Sequence, residues 1–173
     1  MSDSPSSIAE QAQRFELADR MARFYQEVDG AVAAHKPTCQ NRGACCKFAS
    51  FGHRLYVTDL ELAYFHHCQE DRLRAPTSDG ACPYQVGGLC TARDHRPLGC
   101  RIFFCDESAK AWQGPEYERF LARLKQLGDE LGVPYRYREW LSALVGLSAP
   151  PTEKPATSAL STGVDPLKLH VIQ

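Results

Sequence analysis

SSIAEQAQRFELADRMARFYQEVDGAVAAH, residues 6–35, carries apolar side chains at Ile8, Ala12, Phe15, Ala18, Met21, Tyr25, Val28 and Val32. Steps of three and four set these on one face of a long amphipathic helix. Lys36-Pro37 ends it, because the residue before a proline is pushed out of the helical region. An apolar helical stripe must be covered by other elements, and the rest of the chain supplies candidates.

Thr58-Asp59-Leu60-Glu61 has capping-box form, with apolar Leu62, Ala63 and Phe65 following, and predicts a second helix from Asp59 to about Leu73. Tyr56 and Val57 before it read either as a short strand or as a hydrophobic staple. A third helix opens at Pro115, shows Tyr117, Phe120, Leu121, Leu124 and Leu127 on one face, and stops at Gly132. Tyr135 to Leu147 makes a fourth. From Ala75 to Asp106 the turn formers Pro76, Gly80, Pro83, Gly87, Gly88, Pro97 and Gly99 allow only loop and short strands. The expected fold is mainly α: a small helical domain, residues 1–147, around an irregular cysteine-rich segment, 39–105, stapled by metal. Residues 148–173, which include APPTEKPATSALSTG, read as an extended or disordered Pro/Ser/Thr-rich tail.

The 20 Lys and Arg against 21 Asp and Glu, net charge −1, leave no basic excess for binding nucleic-acid phosphates or an anionic membrane. No run approaches the roughly 20 apolar residues of a membrane span. The start, MSDSPSSIAEQAQRF, has no apolar export core, so a cytoplasmic location is expected. There thiols stay reduced, and a group of cysteines more often binds metal or does redox chemistry than forms disulfides.

All eight cysteines fall between Cys39 and Cys105. They form C-x5-C-C at Cys39, Cys45 and Cys46, C-x7-C at Cys82 and Cys90, and C-x4-C at Cys100 and Cys105. These seven are the candidate metal ligands. Cys68 stands apart on the second predicted helix, near Tyr64 and Phe65, and reads as a packed thiol. Adjacent Cys45 and Cys46 point in different directions on extended backbone, which predicts unequal roles. Glycines before Cys45, Cys82, Cys90 and Cys100 allow close backbone approach to a metal-bound sulfur.

CQNRGACC (39–46) and CPYQVGGLCTARDHRPLGCRIFFC (82–105) resemble the bacterial cysteine-cluster family with the signature CxxCxxCC, often called YkgJ-like and described as a zinc- or iron-chelating domain. The match lies in Cys82-Pro83, the glycines before Cys90, Arg96-Pro97, Cys100-Arg101 and Phe103. Arg42 stands where the family's first block often has its second cysteine. The resemblance implies metal binding. A flagellin lysine methylase carries a related cysteine block, which makes a protein-modifying enzyme one alternative.

Zinc and iron–sulfur clusters both accept four thiolates. The chain has no C-x-x-C pair, common in structural zinc sites, and Cys82-Pro83 is like the Cys-Pro that closes ferredoxin cluster runs. An iron–sulfur cluster with an electron-transfer or redox role, served by a protein or redox partner, is therefore the leading expectation. A Zn²⁺-stapled interaction module without catalysis is the main alternative. Thiolate sites are anionic, so nearby guanidinium groups favour them, and Arg96 and Arg101 inside the matched block are the candidate cofactor-binding cations. His53 and His95 are the reserve ligands. No Ser-His-Asp order, phosphate-binding glycine loop or carboxylate pair supports acyl transfer or nucleotide hydrolysis.

Overall fold

The computed structural model describes residues 5–39 and 42–148; the predicted tail, apart from Ser148, lies outside them. Helix α1, Pro5–Ala34, runs the length the periodicity predicts. Met21, Phe24, Tyr25, Val28 and Val32 are buried, whereas Phe15 is exposed and sets its ring edge against His67. Helix α2, Phe48–Phe51, is a single turn. Strand β1, Tyr56–Thr58, runs straight into α3, Asp59–Gln69, so Tyr56 and Val57 are strand. Helix α3 has both halves of its capping box. It ends short of the predicted Leu73, continuing only as a 3₁₀ turn at Glu70–Arg72.

Two-residue strands β2, Gln85–Val86, and β3, Leu89–Cys90, form an antiparallel hairpin whose turn is Gly87-Gly88, both at positive φ. Such a turn needs left-handed backbone, which glycine supplies without steric cost. The segment read as loop also contains α4, Leu98–Ile102, which carries Cys100. Helix α5, Gln113–Glu130, begins ahead of Pro115 and buries Phe120, Leu121 and Leu124.

The predicted fourth helix splits. Tyr137–Glu139 is strand β4, paired antiparallel with β1 in the register Tyr56↔Glu139, Val57↔Arg138 and Thr58↔Tyr137, and α6 spans Trp140–Ser148. Strand β1 offers unpaired backbone groups, and pairing with Tyr137–Glu139 satisfies them, which overrides the helical reading of that stretch.

Mainly α describes the result. One core packs α1 against α3, α4 and α5 through Met21, Phe24, Tyr25, Leu60, Ile102, Phe120 and Leu124. A second gathers Phe48, Val57, Leu62, Phe65, Tyr84, Ala92, Trp140 and Leu144, with Cys82 and Cys90 at its edge. The cysteine-rich segment thus contributes apolar side chains to both cores. Among the described residues no helix is long and apolar enough to cross a membrane.

Candidate metal centre

Backbone hydrogen bonds join the two cysteine blocks directly. The Cys82 N–H donates to the Cys46 carbonyl at 2.7 Å, and the Ala49 N–H to the Gly80 carbonyl at 3.3 Å. Two glycines at positive φ make that approach possible. A Cβ on Gly43 would stand 2.6 Å from Gln85 Nε2 and 3.3 Å from Gly88 Cα, and one on Gly80 2.8 Å from the Ala49 Cβ. Their bareness serves contact between the blocks, where the sequence had suggested approach to sulfur.

Six of the seven candidate ligands, Cys39, Cys45, Cys46, Cys82, Cys90 and Cys100, line one cavity of about 70 Å³. Its other walls include Phe48, Phe65, Tyr84 and Trp140, and among the described residues no His, Asp or Glu contributes. Cys105 is exposed, just beyond the end of α4, and is not part of that lining. Cys68 packs against the first core, and burial pushes its thiol up.

Cys45 and Cys46 sulfurs stand 3.8 Å apart. Hydrogen bonding with Cys46 brings Cys45 down to about 6 and Cys82 down to about 7, in both cases against burial. Cys46, between them, is raised and keeps its proton, first through its bonds to Cys45 and Cys82. Burial pushes Cys100 and Cys90 up. The hydrogen bond shared by the adjacent cysteines, in which either sulfur could donate, pulls Cys45 down and pushes Cys46 up.

Trp140 supplies what sequence reasoning did not single out. Its ring is 2% exposed, and Nε1–H is buried with no hydrogen-bond partner. The nearby thiol is Cys82: the pair does not meet hydrogen-bond geometry, but the N–H dipole favours the Cys82 thiolate. An orphaned buried donor costs about 1–3 kcal/mol, and thiolate or sulfide sulfur is an acceptor that would satisfy it. The only sequence signal was a tryptophan inside the predicted fourth helix.

The two candidate arginines part company. Arg96 lines the cavity and donates from Nε to the Arg93 carbonyl at 3.0 Å. Burial and then Arg93 lower its pKa, and Cys100 opposes them. Arg101, 3% exposed, is not in the lining. It pairs with Asp29 at 2.6 Å, donates to the Arg96 carbonyl at 2.7 Å and to the Asp94 carbonyl, and lies 4.0 Å from the centre of the Tyr25 ring. Its place is a clamp that ties the 94–96 turn to α1. His53 Nε2–H donates to the Cys45 carbonyl at 3.1 Å, and His95 shares a 2.8 Å bond with Gln69. Neither lines the cavity.

Among the described residues no group of three or more Cys, His, Asp or Glu side chains is gathered so as to hold a metal ion. Closing on a metal requires the cavity thiols to draw inward. Comparison of the chain with protein-family models, with curated proteins and with solved structures finds no match.

Proposed function

We propose that the chain is a metal-binding cysteine-cluster protein whose cavity thiols hold an iron–sulfur cluster with an electron-transfer or redox role. The observation that carries this reading is one cavity lined by six thiols, with an unpartnered tryptophan N–H beside them. A donor set of sulfur alone suits soft metals. The absence of C-x-x-C pairs in the sequence favours iron–sulfur over zinc, and the likeness of the two blocks to the cysteine-cluster family points the same way as the thiols. Bound there, the cluster supplies one-electron chemistry. The chain's own residues do the rest: cysteines from both blocks hold it, Arg96 and Arg93 offset its negative charge, and the Trp140 N–H is a donor to sulfur. A reducing cytoplasm and a redox partner protein complete the proposal.

The test is iron, sulfide and zinc analysis with a visible spectrum on protein purified without oxygen. Iron, acid-labile sulfide and visible absorption are expected. A colourless protein with stoichiometric zinc would transfer the reading to a zinc-stapled interaction module. Neither metal would end it and make disulfides the leading account.

A further inference from the structure

A second cavity, of about 380 Å³, adjoins the thiol cavity and shares Cys45 and Cys100 with it. The volume lies within the roughly 300–1,000 Å³ typical of small-molecule sites, which combine apolar walls with a few convergent polar groups. Here the walls are aromatic. Tyr56 and Tyr137 stack at 5.3 Å and 19°, 40% and 43% exposed, as a diagonal pair across β1 and β4. The Tyr117 and Tyr137 hydroxyls share a single hydrogen bond at 2.5 Å. One of the two O–H groups donates to the other and the second remains a donor.

Charge at this cavity has one sign. Among the described residues no Asp or Glu lines it, whereas Arg54 does, exposed and in no ion pair. Arg54 acts on Glu139 through space without forming an ion pair, and Glu139 Oε2 accepts from the Ser142 N–H and hydroxyl at 2.7 Å each. An aromatic-lined cavity, a spare hydroxyl and an exposed guanidinium outside any ion pair select a flat ring bearing an anionic group.

We propose that the cavity between Tyr56, Tyr137, Tyr117 and Arg54 is a binding site for a planar aromatic carboxylate or phosphate, held with its ring against the wall formed by Cys45 and Cys100. The site shares Cys45 and Cys100 with the thiol cavity, so the metal content of the titrated protein is determined alongside.

The test is calorimetric titration of the full chain with 2-naphthoate and with 2-naphthalenemethanol, its uncharged analogue. Naphthoate is expected to bind about tenfold more tightly than the alcohol, the worth of one charge-assisted contact. Arg54→Gln, a change at an exposed position, should abolish that advantage. Arg123→Gln, in a separate cavity beside Glu27, should keep it. Equal affinities for acid and alcohol, no saturation by either, or an advantage that survives Arg54→Gln would overturn the proposal. Because the readout is the difference between two ligands, its failure leaves the metal reading untouched.

Discussion

Glu61 Oε1 accepts the Leu98 backbone N–H at 2.7 Å, joining the capped start of α3 to the first residue of the helix that carries Cys100. The same carboxylate accepts from the Thr58 N–H at 2.7 Å, the Thr58 hydroxyl at 3.0 Å and the Tyr25 hydroxyl at 3.3 Å, while the Glu61 N–H donates back to Thr58 at 3.2 Å. One buried acid thus fixes α1, α3 and α4 relative to one another. Burial raises its pKa despite these donors.

Glu61→Gln should therefore change the pH dependence of stability in a defined sense. A carboxyl whose folded pKa is raised contributes stability that is full below its unfolded value and is lost as pH rises through the folded one. The stability of wild type minus that of Glu61→Gln should fall with rising pH across that window, by chemical denaturation. Carboxyls held low, such as Asp106 by the Thr38 and Ser108 N–H groups, titrate in the opposite sense in both proteins and cancel. A flat difference would show that burial does not shift this acid.

Arg101 should behave as a structural clamp. Arg101→Lys can keep a cation near Asp29 but cannot reach the Asp94 and Arg96 carbonyls with one planar fork. Denaturant titration should show a loss of about 2–4 kcal/mol for Arg101→Ala, with at most half recovered by Arg101→Lys. Full recovery by Lys would reduce the residue to its charge.

The helices were legible because their signals are local. The stripe from Phe15 to Val32 and the Thr58–Glu61 box each declare themselves within a few turns. Strand β4 was not, because Tyr137–Glu139 become strand only by pairing with Tyr56–Thr58, far away in the chain. The cysteines were legible as a group from their clustering. Their division was not: Cys105 and Cys100 look alike in sequence, yet α4 places only Cys100 in the cavity. Arg96 and Arg101 likewise share a motif and face different surroundings. Trp140 reaches the site through tertiary packing that no spacing encodes.

Cysteine replacements should sort by that division. Cys82→Ser and Cys100→Ser are expected to lose most bound metal, whereas Cys68→Ser and Cys105→Ser keep it, by metal analysis of equal amounts of folded protein. Loss in Cys105→Ser matching that in Cys100→Ser would bring the exposed thiol into the ligand set.

Trp140→Phe keeps an aromatic side chain, smaller than the indole, and removes the orphaned N–H. A hydrogen bond to cluster sulfur strengthens as negative charge accumulates on reduction, so its removal should lower the reduction potential. A difference of about 1 kcal/mol corresponds to about 40 mV for one electron. Voltammetry showing an unchanged potential would mean that the N–H does not reach sulfur.

Metal removal should loosen the segment unevenly. Helix α4 holds Leu98 and Ile102 in the first core, with Arg101 clamped to Asp29 and Leu98 bonded to Glu61. Those contacts contain no thiol and are expected to persist without metal. The other contacts within the site are thinner: the Cys82–Cys46 and Ala49–Gly80 backbone bonds and a two-residue hairpin, to which Phe48, Tyr84 and Ala92 add burial in the second core. A metal bridging the blocks would add binding free energy that appears as folding free energy, roughly 10–16 kcal/mol for structural zinc. Chelation under reducing conditions should therefore speed amide exchange in residues 43–51 and 80–92, while α4, α5 and the centre of α1 keep their protection. Exchange that rises equally in α4 and the hairpin would show that the whole helical frame depends on the metal. Exchange unchanged in the hairpin would show that the hydrogen bonds and aromatic packing hold the two blocks together without it.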